Sequence, residues 1–418
     1  MRTDRILITM ILCVLVLIGG PLSQVRSEEL STAISDELAS PADSEVLLPV
    51  VIDGKWGFIN QTGKIVIEPQ FAEVEDFSEG LAAAAEPTGK EDKWGSRILR
   101  WGYIDETGNW KIRPRFHSAR KFSEGLAYVQ LKEIYKGGYI NQNGEMVIKP
   151  IFSGGSRFRN GVASVNYEMG KKASLIDKKG NTLTERKYDI IVYFRGDPIK
   201  VYVTQWFSGE YLYGFIDSTG KEVIKPQFIS TGHFSEDLLP VMVGKFVKVE
   251  YGWEPEGKWG YVDTEGNFVI EPVFDRAGDF CCGLAPAIIS DDFDKWGYID
   301  KSGSFVIKPQ FDNAGRFSDS LAPVCVNDKW GYINTEGEIV IEPKYDEASY
   351  FNGGFAFIIE RNEDQNAKYR IIDKTGEFLT EAQFDSEPEL KNGFWQVWIE
   401  DKMGYIDKTG KLIWEPTN

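Results

Sequence analysis

Histidine is almost missing: His117 and His233 are the only two in 418 residues. They fall at different places in the repeat described below. Neither has a readable triad partner, so each is expected to be an ordinary surface or capping side chain. Cysteine is scarce as well, with Cys13, Cys281, Cys282 and Cys325, and none has metal-ligand spacing. Cys281 and Cys282 precede one unit's first strand and Cys325 lies inside the next unit's first strand. About six residues of register, on the order of 20 Å, would separate them, too far to bridge. An adjacent Cys281–Cys282 bridge would be strained, so free thiols are the expectation. Positive charge is also short: 47 Lys and Arg against 64 Asp and Glu leave a net −17. Nucleic acid and anionic membrane surfaces need clustered cations to displace counterions, which makes them poor partners. The acidity serves solubility.

Long apolar runs are limited to one. Arg2 and Arg5 precede an uncharged apolar stretch over residues 6–18, which Gly19, Gly20 and Pro21 break. With Val25-Arg26-Ser27 after it, residues 1–27 have the pattern of a secretory signal peptide. An uncleaved anchor is the alternative, although residues 6–22 barely approach the roughly 20 needed to span a bilayer. Cleavage would leave 44 − 63 = −19. Residues 28–45 are acidic and aperiodic, a flexible leader. An exported, extracytoplasmic location is therefore expected.

What the chain has in abundance is aromatic side chains, 13% of the total, and 42 glycines. They recur in order. Residues 329–346 read KWGYINTEGEIVIEPKYD, residues 295–312 KWGYIDKSGSFVIKPQFD, residues 258–275 KWGYVDTEGNFVIEPVFD and residues 55–71 KWGFINQTGKIVIEPQF. Ten units can be laid end to end, their central dipeptides spaced 34 to 46 residues apart. Eight have Gly as the second residue; units four (Ala173-Ser174) and nine (Tyr369-Arg370) do not. Each unit reads as a three-stranded antiparallel meander. Asp-x-Ser/Thr-Gly sets the turn between the second and third strands. Pro is expected to stop the third strand because it cannot donate to a ladder. The Gly of the second strand is expected to let a ring of the adjacent unit lie flat on the backbone. Both faces of that strand are apolar, so units must be sandwiched between neighbours.

These words, with FSEGLA at the return, resemble the bacterial WG-repeat family, also called KWG repeats. The resemblance covers residues 47–416. It implies an all-β repeat protein, commonly exported or surface-associated, and brings no defined activity and no functional residues. One WG-repeat domain over residues 46–418 is expected. Propeller blades usually number four to eight, at 40–50 residues each. Ten shorter units, beginning on a first strand and ending on a third, favour an open solenoid-like stack over a closed propeller.

No catalytic, cofactor or metal signature is present. The recurring Asp105, Asp177, Asp217, Asp263, Asp300, Asp373 and Asp407 each stand one turn before a Gly, as turn caps do. No glycosidase carboxylate pair is singled out. Insertions in repeat proteins often mark the working face. Here they lengthen units two, five and six, and each carries its own Trp beside charges. Trp94, Arg97, Arg100, Trp206, Trp253 and Glu254 are the candidate binding residues, since Trp stacks while charged groups supply hydrogen bonds. Local packing of those Trp residues is the competing expectation. The function expected is a non-catalytic exported scaffold that binds an envelope polysaccharide or protein. A glycan-acting hydrolase and a purely structural envelope protein are the alternatives.

Overall fold

A computed structural model describes residues 46–417, apart from 93–94, 132–134, 169–171, 186–187, 193–198, 206–209, 250–251, 290–294 and 362–365. The signal peptide and leader expected over residues 1–45 lie outside the described residues. Among the described residues every regular element is a β-strand, and no helix is long and apolar enough to cross a membrane.

The strands form ten antiparallel sheets in chain order, spanning residues 47–71, 73–116, 118–152, 154–177, 190–228, 230–274, 276–311, 313–345, 347–373 and 389–417. Seven have four strands and three have three, so the expected three-stranded meander needs correction. In every sheet but the first, a lead strand of two or three residues precedes the first strand and pairs with it. In sheet eight Asn313 faces Cys325 and Ala314 faces Val324. Two residues are too few to show alternation, so the lead strand leaves no periodic signal.

The third strand does not stop at Pro. In sheet eight it runs Ile339–Tyr345, through Pro343. Trp330 pairs with Tyr345 and Tyr332 with Ile341, so two steps on the second strand face four on the third. That excess is a bulge, where Pro forfeits no ladder bond. The bulge also explains the Gly. A Cβ on Gly331 would stand 2.3 Å from the Ile341 carbonyl oxygen and 2.6 Å from the Pro343 nitrogen. The Gly therefore admits its own unit's bulged strand, not a neighbour's ring as the sequence reading supposed.

Units four and nine supply the counter-example. Ser174 and Arg370 replace the Gly, and Arg186 and Ala382 replace the Pro. Among the described residues those two sheets have no regular third strand. They keep only isolated bridges, Ile176 to Thr182 and Ala173 to Tyr188 in one, Ile372 to Phe378 and Tyr369 to Phe384 in the other. Gly and Pro are thus lost together, because each is needed only when the bulge is present.

Among the described residues ten hydrophobic cores hold the sheets together, and nine of them join consecutive sheets. Between sheets seven and eight, Tyr298, Ile307 and Phe311 pack with Phe317, Val324 and Ile333. The tenth core joins Leu48, Val50 and Ile59 of sheet one to Met403 and Tyr405 of sheet ten. Five buried residues of this kind contribute on the order of 10 kcal/mol before conformational entropy is subtracted. The same joint repeats the other contacts. The second-strand Tyr donates its hydroxyl to a carbonyl of the following sheet, as in Tyr298 to Gly315 and Tyr332 to Ser349, both 2.8 Å. Tyr405 donates to Pro49 of sheet one at 2.9 Å. Turn glycines stand against the preceding unit's third strand, Gly303 on Ile270 and Gly337 on Ile307, and Gly63 on Ile413 of sheet ten. The succession of cores returns to its start, and the expected open stack is not confirmed.

Candidate functional site

The KWG landmark residues are occupied with structure. Lys258 and Lys329 of the KWG words reach Asp275 and Asp346 after the third strand, at 2.5 and 2.6 Å, and Lys295 and Lys368 reach Asp312 and Asp385 likewise. The other oxygen of Asp346 accepts from the Arg361 N–H at 2.6 Å, pinning the end of the next sheet's first strand. The Lys side chain holds the Asp312, Asp346 and Asp385 carboxyls below the usual carboxylate range. The recurring turn Asp residues do what turn caps do. Asp300 accepts from the Ser302 N–H at 2.9 Å and its hydroxyl at 2.5 Å. Among the described residues, no three His, Cys, Asp or Glu side chains are grouped to hold a metal ion. His233 bridges sheets six and seven, its N–H 2.8 Å and its Nδ1 3.0 Å from the Asp279 carboxylate.

What departs from the repeat is the set of insertions, and they are not loops. Sheet six carries Leu239–Val249 paired along its whole length with Gly252–Val262, a two-stranded ribbon projecting past the ordinary strand length. Phe246, Val247 and Val249 favour this, because aromatic and β-branched side chains suit an extended pair. Sheet two builds a similar ribbon from Leu81–Glu91 and Arg97–Asp105. Sheet five builds one from Ile199–Gln205 and Glu210–Ile216.

Register sorts the candidate residues by face. Lys248 lies opposite Trp253 and Phe246 opposite Pro255, so these four share one face of the sheet-six ribbon. Trp253 is 39% exposed, so it does not pack away locally. Glu254, opposite Val247, belongs to the other face with Glu256, whose carboxylate is 3.6 Å from Lys245. Phe246 meets Tyr211 of the neighbouring sheet-five ribbon edge to face, ring centroids 6.4 Å apart. The two ribbons therefore stand side by side, with Trp253 on the face that carries the contact. Tyr211 and Phe246 were not among the candidates, which were Trp residues and their flanking charges; an aromatic in each adjacent insertion was the available signal.

The structure does not bring all the candidates together. Arg97, exposed, and Arg100, half-buried, lie opposite Glu91 and Glu86 on the sheet-two ribbon, three sheets before the sheet-five ribbon. The Arg100 Nη1 is buried with no hydrogen-bond partner among the described residues. Trp94 and Trp206 lie outside the described residues.

A family described as "WG containing repeat" matches residues 56–86, 101–133, 138–168, 213–245, 259–290, 296–330 and 330–362. No curated protein matches. Among solved structures, the β-propeller domain of the trilobed protease from Pyrococcus furiosus is 11% identical. That alignment covers 75% of this chain and 99% of that one at a TM-score of 0.32. Hsv2 of Kluyveromyces marxianus is 9% identical over 60% of this chain and 93% of that one, at 0.30. PorZ, a surface component of the type-IX secretion system of Porphyromonas gingivalis, is 11% identical over 90% and 53%, at 0.24. Scores this low carry no argument about this chain.

Proposed function

Because the chain belongs to the WG-repeat family, whose repeated residues here are spent on packing, we propose that it is a propeller-like ring serving as a binding scaffold. The paired ribbons of sheets five and six are its working surface. Its partner is a macromolecule of the cell envelope, polysaccharide or protein, and the protein acts there after export, without catalysis of its own. The observation that carries this reading is Trp253. It stays exposed on the ribbon face that carries Phe246 and meets Tyr211. A large ring held out on a rigid strand loses little side-chain entropy when it stacks on a sugar ring or fills a protein pocket.

The test is co-sedimentation of the chain with purified cell-wall polysaccharide, in parallel with capture of separately fractionated exported proteins. Wild type should bind one of the two, and Trp253→Ala should weaken that binding by roughly tenfold or more while leaving the circular dichroism spectrum unchanged. Binding that survives both Trp253→Ala and Tyr211→Ala would remove the ribbons as the working surface.

A further inference from the structure

At four joints around the ring, the same three contacts seal one sheet to the next. A Ser hydroxyl donates to the following unit's Phe carbonyl: Ser78 to Phe122, Ser123 to Phe158, Ser235 to Phe280 and Ser318 to Phe351, between 2.5 and 2.8 Å. The acid after it accepts from a main-chain N–H of the following unit, as Glu236 does from Gly283 at 3.1 Å and Asp319 from Gly354 at 2.7 Å. A Lys or Gln of the following unit's turn then binds that acid residue; Lys301 lies 3.2 Å from the Glu236 carboxylate, and Lys374 bonds the Asp319 carbonyl at 2.7 Å.

The joint between sheets seven and eight has none of the three. Cys281 stands where the Ser belongs and Cys282 where the acid belongs. In the following turn Thr335 takes the place of the Lys. Cation and acid are both absent here, as they are between sheets four and five, where Asn160 and Ser218 take those places; what sets this joint apart is that two thiols fill the Ser and acid positions. The turn itself is kept. Cys281 and Leu284 exchange both main-chain bonds, at 2.9 and 3.2 Å, and Cys282 holds φ +59°, the left-handed conformation that Glu236 and Asp319 adopt at the equivalent place. Within this frame the two Sγ atoms stand 3.6 Å apart, with Cys282 exposed and Cys281 half-buried.

We infer that Cys281–Cys282 is a redox modification site, a vicinal dithiol that closes to a disulfide by exchange with a low-molecular-weight disulfide. The Cys282 thiolate attacks one sulfur of the small disulfide, whose S–S bond breaks and releases one small thiol. Cys281 then gives up its proton and attacks the Cys282 sulfur, releasing the second. Two protein thiols are oxidised and one small disulfide is reduced to two thiols. Burial, followed by the hydrogen bond with Cys282, pushes the Cys281 thiol up. First attack therefore falls to the exposed Cys282, and Cys281 resolves the adduct. Adjacent Cα atoms are about 3.8 Å apart, shorter than the usual disulfide span of about 4.4–6.8 Å. The bond would therefore be strained and easily reduced, which suits a reversible site.

The test treats the full chain with oxidised glutathione and reads intact mass and a peptide map. Wild type should lose two hydrogens, with the link inside the peptide that carries both residues, and mild reductant should restore it. Cys281→Ser, which installs the residue used at the other four joints, should stop with one glutathione on Cys282. Cys282→Ser should react far more slowly. A wild-type chain that keeps the glutathione adduct, links either residue to Cys325 or to a second chain, or leaves both thiols unreacted would overturn the inference.

Discussion

Replacing Gly297 with Ala tests the coupling between second and third strands most sharply. A Cβ there would stand 2.5 Å from the Ile307 carbonyl oxygen and 2.7 Å from the Pro309 nitrogen, both main-chain atoms that no rotamer change can move. Reaching even 3.0 Å from the oxygen requires the bulged strand to retreat by 3.0 − 2.5 = 0.5 Å. That strand carries Ile307 and Phe311, both buried in the core shared with sheet eight. If the strand yields and keeps its seat, the cost is that of an overpacked core, about 1–3 kcal/mol. If it detaches, as the third strands of units four and nine are irregular, burial of two large side chains is lost and the cost rises to about 3–6 kcal/mol. Either way the urea midpoint should fall, and amide exchange should accelerate first along Phe305–Phe311. The double variant Gly297→Ala/Pro309→Ala should be less damaging than the sum of the singles by about 1 kcal/mol, since Ser174/Arg186 and Arg370/Ala382 show that both positions can change together. A Gly297→Ala chain with an unchanged midpoint, or a strictly additive double variant, would refute the crowding argument.

Other outcomes follow from the same contacts. Tyr405→Phe deletes the bond to Pro49 and should cost about 1–2 kcal/mol; hydrogen exchange should quicken in sheets one and ten while sheets four to seven stay protected. Acid should destabilise the ring. The Thr107 hydroxyl holds Asp105, and Lys295 and Lys329 hold Asp312 and Asp346, below their ordinary range. A carboxyl depressed in the folded state contributes stability above its unfolded pKa and loses it as pH falls through the folded value. Unfolding midpoints should therefore decline below about pH 4, each exposed pair contributing little on its own. A flat profile from pH 5 to 2.5 would contradict these assignments.

Much of a single unit was legible in the sequence. The Asp-x-Ser/Thr-Gly turn, the apolar second strand and the paired aromatics each follow from local chemistry. Pro was misjudged because its lost N–H was weighed without the bulge that makes the loss harmless. The Gly–Pro partnership was nonetheless written in units four and nine, where both residues change. Closure was hidden by the repetition itself, since the joint between sheets ten and one uses the same kinds of contact as the interior joints, a second-strand Tyr hydroxyl and a turn glycine. One signal pointed to it: an open array needs polar outer faces on its terminal units, yet Leu48 and Val50 at one end and Met403 and Tyr405 at the other are as apolar as their interior counterparts. The candidate surface was legible as insertions only. That two of them stand side by side depends on their being in consecutive sheets, and the Tyr211–Phe246 contact depends on ribbon length and register that no local pattern specifies.

Return of the chain to its start is the central structural claim, and one distance decides it. Gln61 and Lys408 are exposed and occupy equivalent turns of sheets one and ten, and Lys374 does so in sheet nine. Spin labels at Gln61→Cys and Lys408→Cys, in a chain whose own cysteines are replaced by serine, should give the same separation by pulsed electron resonance as the neighbouring pair Lys374→Cys and Lys408→Cys. A separation approaching about 90 Å, nine steps of roughly 10 Å between stacked sheets, would mean an open stack and contradict the tenth core.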